Sequence, residues 1–145
     1  MPWPLFSPRI DHDRVVAALA AAEAGTSGEI RVLIARHAAK DPVAAAQSYF
    51  DSLGMAGSAH RNGILIFVAP PSRTFAVIGD RAVHEVCGDG FWAALSAAMA
   101  DRFRAGEFTD ALVHGIEEAG RLLGKSFPRG PGDQAARPPA ADEVD

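Results

Sequence analysis

One cysteine in 145 residues, Cys87, excludes an internal disulfide, so nothing in the chain calls for an oxidising compartment. Cys87 sits in an apolar stretch with no general base adjacent to it, and it reads as a small buried hydrophobe rather than a nucleophile. Runs of like charge are also missing, and the formal net charge is only −4, which argues against nucleic acid or an anionic membrane as the main partner and makes cations the better candidates. No apolar run approaches the roughly 18 residues of a membrane span, and Met1 to Phe6 lack both a charged leader and a signal-type core, so the expected location is the cytoplasm. Three catalytic signatures are missing as well. Gly25-Thr26-Ser27-Gly28 lacks the lysine of a phosphate-binding loop, no serine lies in the strand-turn-helix setting of a nucleophile elbow, and no zinc spacing occurs.

What is present is a core. At 48% hydrophobic, a chain of this length buries about two-thirds of the surface its unfolded form exposes. Val15, Leu19 and Ala22 recur at helical spacing after Asp11, with Gly25 placed to end that helix. Glu29 to Ala35 is short, aliphatic and β-branched, which favours a strand. Asp41-Pro42 supplies a cap and a first-turn proline for a second helix, whose apolar face is Val43, Ala46, Phe50 and Leu53. Gly63 to Ala69 is apolar on both alternating faces and predicts a central strand. Thr74 to Gly79 follows after only four residues, which permits nothing but an antiparallel hairpin. A short helical stretch over Ala82 to Val86 precedes two amphipathic helices, Phe91 to Phe103 and Phe108 to Leu123, ended by Gly106 and Gly124. Phe91 and Trp92 read as core anchors of the first of these. The pattern predicts an α/β fold, a three-layer α/β/α sandwich with a small mixed sheet in a single domain. It assigns 1–9 to an N-terminal extension, 10–128 to the domain and 129–145 to a disordered acidic tail rich in proline and alanine, whose removal would leave the fold intact.

The first two strands, joined by a helix, should be parallel, and the third runs back. This topology gathers Glu29, Arg61, Asn62 and Asp80 at one sheet edge, with Arg81, His84, Glu85 and Asp89 immediately beyond. Four carboxylates and an amide are the oxygen ligands that calcium and magnesium prefer, which makes Glu29, Asn62, Asp80, Glu85 and Asp89 candidate ligands. The same residues are equally consistent with a surface network in which Arg61 or Arg81 pairs with Asp80 or Glu29, Asn62 serves a turn and Asp89 caps a helix. His37, Asp41 and Arg73 fall at the opposite edge and read as solvated loop chemistry.

Thr26-Ser27-Gly28-Glu29-Ile30-Arg31, Arg61-Asn62-Gly63-Ile64-Leu65-Ile66, Ile78-Gly79-Asp80 with His84-Glu85, Phe91-Trp92 and Ser126-Phe127-Pro128 together resemble the TPM domain family, in its order and over nearly all of 10–128. The chain is most similar to the short, soluble bacterial branch. The resemblance implies an α/β/α sandwich with a crevice at one sheet edge that binds calcium or magnesium, and it places Glu29, Asn62 and Asp80 on the crevice motifs. It also implies two functions. One is an accessory or protein-interaction role, as in photosystem repair or receptor modulation, with a protein partner besides the cation. The other is a metal-dependent acid phosphatase of low activity, for which Arg61 or Arg81 would hold the anion and His84 would act as general acid. The two arginines beside the carboxylates either bind a phosphate oxygen or weaken cation affinity.

Overall fold

A strand that is apolar on both faces needs a cover on each, and that requirement organises the computed structural model, which describes residues 10–57, 61–130 and 141–144. Its elements run α1 (His12–Ala24), β1 (Ile30–Ala35), α2 (Pro42–Ser52), β2 (Ile64–Ala69), β3 (Thr74–Gly79), α3 (Arg81–Arg104), α4 (Phe108–Ser126) and β4 (Ala141–Val144). The sheet order is β3-β2-β1-β4. β1 and β2 are parallel, with Ile30 opposite Ile64, and β2 and β3 are antiparallel, with Ile64 opposite Gly79. All six residues of β2 are buried, as a central strand requires.

Alternation along the strands sorts the core into two layers. Ile30, Val32, Ile34, Ile64, Ile66 and Val68 pack with residues of α1, α3 and α4, whereas Leu33, Ala35, Leu65, Phe67 and Ala69 pack with Ala46 and Phe50 of α2 and with Met55. The larger layer is closed by α4, which buries a continuous stripe including Leu112, Ile116, Ala119 and Leu123. Local signals fix where the helices begin. Asp11 caps α1 by accepting from the Arg14 N–H at 3.2 Å, and Asp41 caps α2 by accepting from Ala44 at 3.0 Å, with Pro42 in the first turn. α3 is broken at Gly88, whose φ of 71° and ψ of 175° lie outside the helical region, so the expected short stretch and long helix are two segments meeting at a glycine.

The C-terminal expectation needs a correction. Ala141–Val144 pair in parallel with β1, Ala141 opposite Val32 and Val144 opposite Ala35, and Ala141 packs against the larger core layer. The segment has no periodicity of its own to announce a strand. What recruits it is the unpaired backbone along the outer side of β1, which any extended segment can satisfy. The expected extension over 1–9 lies outside the described residues, as do 131–140 and Asp145 of the expected tail. Among the described residues no helix is long and apolar enough to cross a membrane.

Two predictions follow from this packing. At Gly120 an added Cβ would lie 2.6 Å from the Ala22 Cβ, where α4 crosses α1. Alanine is the better helix former by about 1 kcal/mol, but overpacking a tight contact costs about 1 to 3 kcal/mol, so Gly120→Ala should lower stability in urea denaturation despite its higher propensity. A chain ending at Pro128 should stay folded by circular dichroism, yet melt at lower temperature and self-associate more by light scattering, because β1 becomes an uncovered edge. An unchanged melting temperature and an unchanged monomer would show that β4 adds nothing.

Candidate functional site

Thr26, Asn62 and Asp80 are the buried polar or charged residues among those described, and all three stand at the edge where β1 and β2 begin and β3 ends. Backbone hydrogen bonds stitch that edge together. The Ile64 N–H donates to the Glu29 carbonyl at 2.8 Å, Asp80 donates to Gly63 at 2.9 Å, and Ala82 donates to Arg61 at 3.1 Å. The topology expected for Glu29, Asn62 and Asp80 is therefore the one observed.

Asp80 is the centre of the arrangement. It is the N-cap residue of α3, 4% exposed, and it accepts from the Arg81 N–H at 2.7 Å. Arg61 addresses the same carboxylate as a fork: Nε donates to Oδ2 at 2.9 Å and to Oδ1 at 3.2 Å, and Nη2 donates to Oδ1 at 2.9 Å. Arg61 itself has a left-handed backbone, φ 51°, and a side chain 36% exposed. Burial alone pushes the Asp80 carboxyl up, but hydrogen bonds from Arg61 and the Arg81 N–H, with the positive charges of both arginines, outweigh it and hold the group below the usual carboxylate range. The same hydrogen bond raises Arg61 further above its ordinary value, against a smaller opposing effect of burial. The pair anticipated as one option for a surface network is thus built around a buried carboxylate.

Asn62 faces a different partner. Its Nδ2 donates to Ser27 Oγ at 3.1 Å, and the Ser27 N–H in turn donates to the Phe127 carbonyl at 3.0 Å. Thr26 Oγ1 accepts from the Gly28 N–H at 3.0 Å and reaches the carbonyls of Leu123 and Phe127, at 3.1 and 2.5 Å, so it ties the end of α4 to the start of β1. Gly28 fits there because it has no side chain: a Cβ would stand 2.9 Å from the Asn62 carbonyl oxygen. A further carboxylate, Glu23, accepts from the Ile30 N–H at 3.2 Å. Sequence reasoning gave Thr26, Ser27 and Glu23 no role. Thr26 and Ser27 lay within a recognised motif, but Glu23 carries no spacing signal, being brought to β1 only by the turn after α1.

The remaining candidates are peripheral. Arg81, His84, Glu85 and Asp89 are exposed, on α3 up to and just past the Gly88 break, while Glu29 is half-buried. His84 is oriented: its Nδ1 accepts from Trp92 Nε1 at 3.1 Å, and the rings stand 5.2 Å apart. Trp92 is half-buried and covers the end of β3, where a Cβ on Gly79 would be 2.5 Å from the indole. Cys87 packs partly buried against the larger core layer, and burial raises its thiol above the ordinary value. Among the described residues no three His, Cys, Asp or Glu side chains converge as a metal would need, so Glu29, Asp80, Glu85 and Asp89 do not assemble into a carboxylate cage. The carboxylate buried at this edge is Asp80 alone, bonded to Arg61 and the Arg81 N–H, while the Asn62 amide is engaged with Ser27. At the opposite edge Asp41 serves as the α2 cap.

The comparisons place this geometry in a family. No curated protein matches the chain. Among solved structures, the chain is similar to the BA42 protein of the psychrophilic bacterium Bizionia argentinensis, determined by NMR: the two are 36% identical, the match covers 91% of each chain, and the TM-score is 0.82. A family model described as the TPM domain matches residues 5–122, a span that includes α1 through most of α4 and Thr26, Glu29, Arg61, Asn62 and Asp80 of the edge, and the chain belongs to the TPM domain family.

Proposed function

We propose that this chain is a binding domain without efficient catalysis of its own, whose ligand is a divalent cation taken at the Asp80 edge, and that it serves an accessory, protein-interacting role. The observation that carries the reading is the clustering of buried polar residues, with Asp80 as an ionised carboxylate 4% exposed at the same edge as the Asn62 amide. Asp80 would supply the anionic ligand, and Asn62 and neighbouring carbonyls are the nearby neutral oxygens. With a single committed carboxylate, affinity is weak, in the millimolar range, and magnesium suits the set better than calcium, which takes six to eight oxygens.

The second reading, a slow phosphatase, has an exposed and oriented histidine behind it. His84, the candidate acid, is exposed and held by the indole bond to its Nδ1, but that bond needs Nδ1 as an acceptor, so the imidazolium that would donate a proton has to give the bond up. Against it stands also the use of Arg61, whose fork is already spent on Asp80 rather than turned toward an anion.

Magnesium or calcium at about ten times its dissociation constant should raise the melting temperature by roughly 3 to 6 °C. Asp80→Asn should abolish that increment, whatever it does to the starting value. Because the Asp80 carboxyl is held low, it stays ionised at pH 5, and the cation response should persist there. A folded-state value below the unfolded one near 3.9 means that both the cation response and the stability due to Asp80 are lost only as the pH falls below about 4. Equal increments in wild type and Asp80→Asn would remove Asp80 from the site. A phosphate-ester assay should show at most slow turnover, unaffected by His84→Ala. Brisk, cation-dependent turnover that falls a hundredfold or more in His84→Ala would establish the phosphatase instead.

A further inference from the structure

Asp80 has its anionic oxygens covered before any metal arrives. Both receive an N–H from Arg61, Oδ1 also receives the Arg81 N–H, and 4% of the residue is exposed. A cation cannot add to this carboxylate as it stands and must first displace a donor. The Arg81 N–H belongs to the start of α3 and cannot leave without unwinding the helix. Arg61 can leave: its backbone is fixed through the Ala82 N–H, at 3.1 Å from the Arg61 carbonyl, while its side chain is 36% exposed and so already reaches solvent.

Building on the cation reading above, we infer that Arg61 is a tethered competitor, a guanidinium that occupies the cation's position on Asp80 and is exchanged for it. Binding is then an exchange of one positive partner for another. The apparent affinity equals the intrinsic affinity multiplied by the fraction of molecules in which Asp80 is released. Two well-aligned N–H bonds to a buried carboxylate keep that fraction small. The exchange also changes the surface, since each bound cation sends the Arg61 guanidinium outward next to the exposed Arg81 and Glu85.

The test is a calorimetric titration of magnesium chloride into the full chain and into Arg61→Gln, which keeps a polar side chain but removes the charge and the guanidinium fork. If the pair is closed nine-tenths of the time or more, Arg61→Gln should bind about tenfold more tightly or better, while melting at lower temperature without the cation. Measurable binding in Arg61→Gln alone would also support the exchange, as its extreme case. Equal or weaker binding in Arg61→Gln than in a wild type that does bind would overturn it and leave the Asp80 site standing. No binding by either chain would overturn the site itself, and the exchange with it. A second measurement uses only the wild type and so does not depend on the variant folding. The Arg61 Nε–H resonance should move on titration with the same dissociation constant as the heat, and a stationary signal during cation binding would sink the proposal.

Discussion

Burying a carboxylate is tolerable only when its oxygens are bonded and its charge is compensated, and Asp80 meets both demands with partners from two directions. One comes from its own helix, whose first N–H groups have no intrahelical acceptor. The other comes from the residue before β2, across the sheet edge. Asp80 therefore joins the end of β3, the start of α3 and the approach to β2 at one point, and its backbone N–H adds the bond to Gly63. The start of α3, which helps to close the larger core layer, is thus held to the sheet edge both by this paired side chain and by the backbone bonds beside it.

The same junction explains two glycines. Gly79, the residue before Asp80, lies beneath the Trp92 indole with no room for a Cβ, and Gly88 supplies the backbone reversal between the two segments of α3. Without the break, Trp92 would lie eight residues along a straight helix from His84, about 12 Å away at helical rise. With it, the indole returns to hydrogen-bond His84 and to cover the end of β3. The aromatic pair read from sequence as a helix anchor thus closes the site's rim as well as packing against the core.

How far the sequence could be read depended on whether a feature lies in side-chain periodicity or in backbone complementarity. The apolar Gly63 to Ala69 strand, the Asp41 cap and the antiparallel turn before Thr74 are periodic or local signals, and each appears where it was expected. The edge that unites Glu29, Asn62 and Asp80 was legible because topology alone sets it. The donor assignments within it were not. Nothing in the sequence chooses between Arg61 and Arg81 for the fork on Asp80, and nothing links Asn62 to Ser27, because those choices turn on angstrom-level positions of loops. β4 was illegible for the opposite reason: it is held by the free backbone of β1, a property of its partner rather than of its own residues.

The strength of the backbone bonding also limits what a ligand can do at this edge. β1 is bonded to β2, β3 to β2, and α3 to the residue before β2, at 2.8, 2.9 and 3.1 Å. A scaffold so cross-linked does not rearrange when one side-chain partner replaces another, because each shift of backbone would break bonds that the incoming group cannot replace. On the proposed reading, a cation at Asp80 would therefore act through side chains at the surface, beginning with Arg61, bonded to Asp80 but 36% exposed, and the exposed Arg81, His84 and Glu85 on α3.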